Sequence, residues 1–305
     1  MLAAISGEVV ASDISLEEYG PTLALDRQAD TTITLRLAAA VDQSALREND
    51  MVNAHDIDGK PFLTIARRGR GHRIRAHGYA DFDVDEDRRH IVCHPVPGCP
   101  EPVMAQLFVD RVLPNTVSCS ASPAFHASVI AHHGKAAMFM GDPGLGKSTL
   151  ASGLCSVADW VCDDSAVLSL KSESIEVHPG YPFARLFGDS LSAVGGEENE
   201  RATARNRKWR LRRTAAEGPQ LLSIIFSLGP DGPILLERRT LRDSVTELAR
   251  HLYRLDPSDR GALLSELGTL ERIAKNVPIY DLHYPRNYDT LPQVRKRVLA
   301  ELAMA

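Results

Sequence analysis

The residues with the clearest chemical meaning form a glycine-rich loop near the middle of the chain. Residues 141–148 fit the phosphate-binding pattern G-x-x-x-x-G-K-[ST], with an apolar run before them and a helix-like pattern after them. Gly144 and Gly146 lack a Cβ, so successive backbone N–H groups can point inward at an anion. Lys147 can reach the β- and γ-phosphates, and the Ser148 hydroxyl is placed to bind Mg²⁺. The sequence therefore predicts an ATP site formed by nine residues: Gly141, Asp142, Pro143, Gly144, Leu145, Gly146, Lys147, Ser148 and Thr149.

Two adjacent carboxylates follow one helix later. Asp163 and Asp164 come after a short apolar run and lie 16 and 17 residues beyond Lys147. In phosphate-loop ATPases, an acidic residue at the end of a strand holds Mg²⁺. Adjacent strand residues point to opposite faces, so the two carboxylates would act differently unless the strand has already ended. One division gives the metal to one carboxylate and the attacking hydroxyl to the other. The alternative is a polar turn after an edge strand.

Together with these motifs, other short segments resemble the bacterial HPr serine kinase family. The resemblance is strong over residues 125–164 and continues more weakly to the C-terminus. It rests on His126-Ala127-Ser128, His133-Gly134-Lys135, the loop GDPGLGKST, Cys162-Asp163-Asp164, Pro179-Gly180-Tyr181-Pro182, Arg185 and Leu282-His283-Tyr284-Pro285-Arg286.

The resemblance implies an α/β fold with a phosphoenolpyruvate carboxykinase-like phosphate-loop core and a mixed sheet. It implies that Lys147 binds phosphate, that Ser148 binds the metal and that Asp164 accepts the proton of the substrate hydroxyl. His126 lies 15 residues before Gly141, the distance at which the family has a histidine. The expected catalytic residues are His126, Lys147 and Asp164, and the expected metal ligands are Ser148 and Asp163.

Two departures from the family concern the direction of the reaction and the substrate. The glutamate-containing segment that supplies a second metal ligand in HPr kinases is not recognisable, nor is the arginine-bearing motif associated with phosphorolysis. Both argue against the reverse reaction and against HPr as the substrate. Smaller members of the family are encoded beside ribosomal peptide pathways, notably those of lasso peptides, and some phosphorylate a serine of the precursor.

Composition limits the classes of partner. The chain has 35 Lys and Arg residues against 40 Asp and Glu residues, a net charge of −5, which gives no support to a nucleic-acid or anionic-membrane partner. No apolar run approaches the length that spans a bilayer, and the first residues lack the basic region of a secretory signal. We expect a cytoplasmic protein whose five cysteines are buried or free thiols. Homo-oligomer formation is left open.

The order of patterns predicts a smaller β-rich domain at residues 1–117 and a catalytic domain at 118–305. In the first domain we expect strands at 33–37 and 72–76, a hairpin of 80–84 with 90–93, and a helix at 102–113. A basic run at 66–75 has two interpretations: a binding site for an acidic substrate or leader peptide, or a solvated loop and strand edge that resists edge-to-edge pairing.

In the second domain the patterns predict further elements around the motifs. They are strands at 165–170, 174–178 and 278–282, a hairpin of 221–228 with 234–237, and helices at 241–255, 261–275 and 292–304. The stretch 195–213 is Glu-rich and then Arg-rich. It is interpreted as a solvated loop, or as a lid in which Lys208 or an arginine neutralises the transferring phosphoryl group.

The sequence thus predicts an ATP- and Mg²⁺-dependent kinase that phosphorylates a serine hydroxyl of a peptide or small protein. A lasso-type precursor peptide is the substrate that the resemblance favours. One alternative is a kinase acting on free serine or a sugar-like alcohol, and another is a non-catalytic nucleotide-sensing module. The intact Lys147, Ser148 and Asp164 argue against the sensor, since a degenerate sensor tends to lose the base.

Overall fold

The computed structural model describes residues 1–24, 30–57, 59–195 and 208–305. Within them the chain is a mixed α/β protein that divides into two compact units. The N-terminal unit comprises Met1–Ser118 and Tyr253–Leu264, and the phosphate-loop unit comprises Cys119–Leu252 and Ser265–Ala305. The division into domains at 1–117 and 118–305 stays a prediction. The grouping of residues 253–264 with the N-terminal unit is a feature that no sequence pattern indicated.

The N-terminal unit contains one eight-stranded sheet, followed by a helical stretch. The strands are β1 (Leu2–Ile5), β2 (Glu8–Ser12), β3 (Ile33–Leu37), β4 (Met51–Ile57), β5 (Lys60–Arg68), β6 (Gly71–Ala76), β7 (Ala80–Val84) and β8 (His90–Pro95). Their spatial order is β1-β2-β3-β8-β7-β6-β5-β4, and only β3 runs parallel to its two neighbours. Helices α1 (Glu101–Leu107) and α2 (Leu113–Val117) are joined by a π-helical segment, Phe108–Val112. The two predicted strands, the hairpin of β7 with β8, and the helix are confirmed.

The basic run lies in the interior of this sheet rather than at an edge. Because β6 pairs with both β5 and β7, the strand-edge part of that interpretation is wrong. Residues 67–70, around the turn from β5 to β6, are exposed, as the solvated-loop part predicts. The register places Arg73 opposite Asp83 and Arg75 opposite Asp81. In each pair the arginine Nε donates to the carboxylate at 2.7 Å, and Arg68 also pairs with Asp83. Cross-strand pairs of opposite charge stabilise a sheet, so much of the run is neutralised by the neighbouring strand.

The phosphate-loop unit contains a nine-stranded mixed sheet and a two-stranded sheet. The strands are β9 (Ala124–Phe125), β10 (Ser128–His132), β11 (Lys135–Met140), β12 (Asp159–Cys162), β13 (Ala166–Leu170), β14 (Ile175–Val177), β15 (Phe183–Leu186), β16 (Trp209–Arg212), β17 (Gln220–Leu228), β18 (Leu235–Arg238) and β19 (Ile279–His283). The helices are α3 (Lys147–Leu154), α4 (Gly188–Ala193), α5 (Leu241–His251), α6 (Arg260–Asn276) and α7 (Leu291–Met304). Helix α6 enters this unit at Ser265, because its first five residues group with the N-terminal unit. The main sheet runs β12-β10-β11-β17-β14-β13-β9, with β19 between β17 and β18, and β15 pairs with β16.

Helices cover both faces of the main sheet, which explains the unbroken apolar runs of its central strands. Met138 and Met140 pack on one face with Leu248 of α5 and Ile273 of α6. Phe139 packs on the opposite face with residues of α3 and α7. A strand that is buried on two faces needs apolar residues at successive positions, not at alternate ones. This central position holds β11 rigidly at the point where the phosphate loop begins.

Two predictions for this unit are wrong. Strands β17 and β18 do not form a hairpin, because β19 lies between them, parallel to β17 and antiparallel to β18. The helix predicted at 241–255 ends at His251. The strands at 165–170 and 174–178, the later strand at 278–282, and the helices at 261–275 and 292–304 are confirmed within two residues at each end.

Most of the proposed lid, residues 196–207, lies outside the described residues. Of the described part, Lys208 has its ammonium 5.2 Å from the ring centroid of Phe187. Across the described ranges, no helix combines the length and the apolar character needed to cross a membrane.

Candidate active site

The phosphate loop connects the end of β11 to the start of α3. Three of its glycines have positive φ angles: 140° at Gly141, 87° at Gly144 and 85° at Gly146. L side chains rarely adopt such angles. A Cβ on Gly141 would lie 3.1 Å from the carbonyl oxygen of Leu228, and a Cβ on Gly146 would lie 3.2 Å from the hydroxyl of Tyr284. Backbone conformation therefore favours glycine at all three positions, and close packing adds to this at two of them.

Lys147, the first residue of α3, has a buried side chain that is 7% exposed. Its Nζ donates to the carbonyl oxygens of Gly141 at 2.7 Å and Asp142 at 3.3 Å. Burial lowers the pKa of this ammonium, and the charges of Asp164 and Asp163 oppose the effect. Neutral carbonyls are weaker partners for a cation than charged phosphate oxygens. The ammonium is thus held within the loop, where the motif predicts a phosphate-binding lysine.

Asp163 is the buried member of the acidic pair, with 1% exposure. Its Oδ1 accepts hydrogen bonds from the Ser128 hydroxyl at 2.6 Å and the Ser148 hydroxyl at 2.8 Å, and its Oδ2 accepts from the backbone N–H of Arg185 at 3.3 Å. Burial raises the pKa of this carboxyl and the negative charge of Asp164 raises it further, while these donors oppose the rise. The two predicted metal ligands, Ser148 and Asp163, therefore lie side by side.

Asp164 faces a different environment, although it is the next residue. Strand β12 ends at Cys162, and Asp164 has φ 61°, which is uncommon for a residue other than glycine. Its side chain is 16% exposed and forms an ion pair with Arg185, whose side chain is 3% exposed. The same guanidinium donates to the Tyr181 hydroxyl at 2.7 Å. The chain reversal after β12 thus separates the two carboxylates.

His126 contacts the backbone of Asp164. Its Nδ1 lies 3.0 Å from the carbonyl oxygen of Asp164. A carbonyl only accepts, so Nδ1 carries the proton in this hydrogen bond. The backbone N–H of His126 donates to the carbonyl oxygen of His251 at 2.7 Å. This hydrogen bond fixes the peptide unit of Asp164, the turn residue that carries the partly exposed carboxylate. The catalytic role expected of His126 stays a prediction.

The C-terminal turn of α5 lies against the phosphate loop. Arg250 Nη2 donates to Asp142 Oδ1 at 3.0 Å, and Arg250 Nη1 donates to Glu247 Oε2 at 3.3 Å. Glu247 is 3% exposed and accepts hydrogen bonds from the Ser227 hydroxyl at 2.7 Å and from His251 Nε2 at 3.0 Å. On the other side of the loop, Thr149 donates to the Ser190 hydroxyl at 3.1 Å.

Sequence reasoning assigned no role to Ser128 or Arg185. Ser128 lies two residues after His126, a spacing that places both side chains on one side of an extended segment. Arg185 lies within the buried strand β15, and a buried guanidinium needs an anionic or polar partner. Both signals were present in the sequence, but neither identifies Asp163 or Asp164 as the partner.

The donor atoms at Ser148 and Asp163 fit Mg²⁺, which prefers oxygen ligands. Over the described ranges, no three or more His, Cys, Asp or Glu side chains are grouped as a metal site. One hydroxyl and one carboxylate suit the usual arrangement in nucleotide enzymes, where substrate phosphates and water complete the coordination. The assignment of Ser148 and Asp163 as ligands stays a prediction.

Comparison with known proteins adds little. No protein-family model matches the chain, and no curated protein matches it. Among solved structures, the chain is similar to the Hpr(Ser) kinase/phosphatase from Coxiella burnetii, with 14% sequence identity and a TM-score of 0.32. The match covers 59% of this chain and 97% of that chain. A likeness of this size assigns neither a fold nor an activity to this chain.

Proposed function

We propose that this protein is an ATP- and Mg²⁺-dependent kinase that transfers a phosphoryl group to a serine hydroxyl of a peptide or small protein. The observation that carries this proposal is the pair Asp163 and Asp164 beside the phosphate loop. The carboxylate of Asp163 is buried and accepts a hydrogen bond from the Ser148 hydroxyl. The carboxylate of Asp164 is partly exposed and is held by an ion pair with Arg185. A phosphoryl transferase needs both a group for the metal and a proton acceptor for the attacking hydroxyl.

The loop and Lys147 account for nucleotide binding. Backbone N–H groups of the loop and the N-terminal end of α3 attract phosphate oxygens. Lys147 Nζ exchanges its carbonyl partners, Gly141 and Asp142, for phosphate oxygens, a change that replaces neutral acceptors by charged ones. Negative charge that spreads over the transferring phosphoryl oxygens is stabilised by the same ammonium.

Ser148 and Asp163 would hold Mg²⁺, which supplies charge neutralisation between the phosphates. The hydroxyl of Ser128 supports this arrangement, because it donates to the same oxygen of Asp163 as Ser148 does. With one oxygen of Asp163 bound by two hydroxyls and the other by a backbone N–H, the carboxylate has a single orientation. A fixed orientation reduces the reorganisation that the site needs during the reaction.

Asp164 acts as the base in this proposal. Its ion pair with Arg185 fixes the carboxylate, and His126 fixes the peptide unit that carries it. The proton of the serine hydroxyl moves to the carboxylate as the hydroxyl oxygen bonds to phosphorus and the bond from phosphorus to the leaving oxygen of ADP breaks. In this proposal His126 positions the base and does not touch the reacting atoms.

The test uses the full chain with ATP, Mg²⁺ and a lasso-type precursor peptide that contains a serine. The peptide should gain about 80 Da for each phosphoryl group, the mass of HPO₃. Replacement of the acceptor serine by alanine should remove that gain. Phosphorylation of free serine with none of the peptide would favour a small-molecule kinase, and nucleotide binding without transfer to either would favour the sensing module.

A further inference from the structure

The segment that follows β19 lies against the phosphate loop, far along the chain from the motif. Tyr284 is 4% exposed, and its hydroxyl lies 3.2 Å from the position that a Cβ on Gly146 would occupy. The neighbouring residue His283 covers Gly229, where any Cβ would collide with the imidazole ring. Gly229 follows Leu228, whose carbonyl oxygen lies against Gly141. The segment is therefore tied to both ends of the loop.

Arg286 is held in a defined position beside Tyr284. The centre of its guanidinium lies 3.9 Å from the ring centroid of Tyr284, and Nη2 donates to the carbonyl oxygen of Gly229. Its backbone N–H donates to Asp231 Oδ1 at 3.1 Å, while the residue as a whole is exposed. A long cationic side chain on a surface normally samples many rotamers. Here ring stacking and a hydrogen bond reduce that freedom before any ligand arrives.

Arg286 has different partners from Lys147 and Arg250, the two cations that contact the loop. Lys147 donates to loop carbonyls within a buried environment, and Arg250 pairs with Asp142 and Glu247. Within the described part of the chain, the guanidinium of Arg286 has a carbonyl and an aromatic ring as neighbours but no carboxylate in an ion pair. Nη2 is engaged with the carbonyl oxygen of Gly229, and the residue is exposed, so the other N–H groups of the guanidinium are the donors that a ligand can reach. An arginine edge matches phosphate oxygens, which accept two parallel hydrogen bonds.

We propose that Arg286 is a nucleotide-binding residue that contacts the phosphate chain of ATP held by the phosphate loop. This inference rests on the proposed function, since it requires ATP as the ligand. Arg286 thus adds a second, exposed cation to the buried one that the motif supplies. Tyr284 and the carbonyl oxygen of Gly229 act as its supports, and the Tyr284 hydroxyl places this support beside Gly146 of the loop.

Isothermal titration of the full chain with ATP, and separately with adenosine, tests the assignment. Arg286→Ala should weaken ATP binding by about tenfold or more, because a charge-assisted contact is lost, and should leave adenosine binding unchanged. Arg286→Lys should retain only part of the ATP affinity, since an ammonium cannot stack on the ring and present two donors.

Arg242→Ala is the matched control: it removes an exposed arginine of α5 in the same unit and should bind ATP as the parent does. Arg286→Gln, which keeps an amide donor, serves as the second variant if the alanine variant has an altered melting curve.

The outcomes separate this inference from its premise. If Lys147→Ala loses ATP binding while Arg286→Ala and Arg286→Gln keep it, the kinase proposal stands and the role of Arg286 is wrong. If ATP and adenosine affinities fall equally in the Arg286 variants, the arginine contacts the base or ribose and the phosphate assignment is overturned. If the parent protein binds no ATP, the proposed function fails and this inference fails with it.

Discussion

Asp163 and Asp164 are identical in type and adjacent in sequence, yet the end of β12 gives them different surroundings. Asp163 is buried and accepts hydrogen bonds from the hydroxyls of Ser128 and Ser148. Asp164 is partly exposed and forms an ion pair with Arg185. The positive φ of Asp164 is the backbone change that turns its side chain away. Such an angle costs free energy in a residue with a Cβ and persists where neighbours hold it. His126 and Arg185 hold it here, from the backbone side and the side-chain side respectively.

Lys147→Ala tests the cation of the loop. We expect ATP turnover to fall by about 10²–10³-fold, the loss typical of removing one donor that stabilises transition-state charge. The fold should remain, because the carbonyls that lose the ammonium belong to a loop that solvent can enter once the side chain is truncated. Steady-state turnover and a circular-dichroism melting curve measure the two effects. An unchanged rate with a normal melting curve would remove Lys147 from the site.

The two carboxylates should respond differently to amide substitution. Asp164→Asn is expected to lower kcat by about 10²–10⁴-fold with little change in ATP affinity, because only the proton acceptor is lost. Asp163→Asn should instead raise the Mg²⁺ concentration needed for half-maximal rate, because the proposed metal ligand loses its charge. Titration of each variant with ATP and with Mg²⁺ distinguishes the two effects. Transfer at the parent rate by Asp164→Asn would show that another group takes the proton.

The sequence located the glycine-rich loop between β11 and α3, because the glycines of the motif have a local cause in backbone geometry. The binding of ATP by this loop stays a prediction. Ser128, Arg185 and Arg286 are different. The roles proposed for them depend on which distant residue each side chain contacts, and these contacts are set by the packing of β10, β15 and the segment after β19. A residue type can signal that a partner is needed, as a buried arginine does, without naming the partner.

The last turn of helix α5 contacts both the phosphate loop and His126, which lies between β9 and β10. Arg250 contacts Asp142 of the loop, and the carbonyl of His251 accepts the backbone N–H of His126. The buried side chain of Glu247 contacts both Arg250 and His251: Oε2 accepts from Arg250, and Oε1 accepts from His251. Burial by itself raises the pKa of the Glu247 carboxyl, but hydrogen bonds from His251 and Ser227 and the charge of Arg239 lower it to about 2. The anionic form is therefore the form that the fold stabilises.

This depressed pKa predicts how acid affects stability. The folded-state pKa of Glu247 lies below its usual value of 4.5, so its contribution is present above about pH 4.5 and is lost as the pH falls toward 2. The shift corresponds to about 3 kcal/mol of unfolding free energy. We expect Glu247→Gln to be less stable than the parent by about that amount at pH 6, with the gap closing by pH 2. Urea unfolding at a series of pH values measures the gap.

Glu173→Gln is the control for acid effects elsewhere, since Glu173 is an exposed carboxylate in the same unit. Its stability should follow that of the parent at every pH. A gap between Glu247→Gln and the parent that stays constant from pH 6 to pH 2 would mean that the loss comes from packing, not from the charge of the carboxylate.

Local patterns predicted most strands and helices, and failed where pairing depends on a distant element. The period-two segments of the N-terminal sheet and the capped start of α5, where the Thr240 side chain accepts from the N–H of Asp243, have local causes. The hairpin of β17 with β18 looked equally local. Strand β19, which enters from more than 40 residues later in the chain, takes the place between them. Its buried Ile279 and Leu282 fit a central strand, whereas β18 is largely exposed.

The course of the whole chain explains why the two units are not simple consecutive domains. Residues 253–264 leave the phosphate-loop unit after α5 and group with the N-terminal unit before the chain returns in α6. Within the N-terminal unit, Arg67 Nε donates to Asp256 Oδ2 at 2.8 Å and Arg67 Nη2 donates to the Ser258 hydroxyl at 2.6 Å. The side chain of Asp256 is 7% exposed, so this contact is partly shielded from water. The N-terminal residues thus depend on a segment that lies far beyond them in sequence.

That dependence predicts that Arg67→Gln lowers the stability of the N-terminal unit only when residues 253–264 are present. In the full chain the substitution should destabilise the N-terminal unit by about 1 kcal/mol, because Arg67 is half exposed while its acceptor Asp256 is buried. In a fragment of residues 1–118 the acceptors are missing, so Arg67→Gln should have no effect. Amide hydrogen exchange of β5 and β6, followed by mass spectrometry, reports the stability of this unit in both chains.

Arg70→Gln is the matched control, since Arg70 pairs with exposed Glu86, which both chains contain. The small effect of Arg70→Gln on stability should therefore be the same in the full chain and in the fragment. Equal effects of Arg67→Gln in the full chain and the fragment would show that the N-terminal unit does not depend on the returning segment.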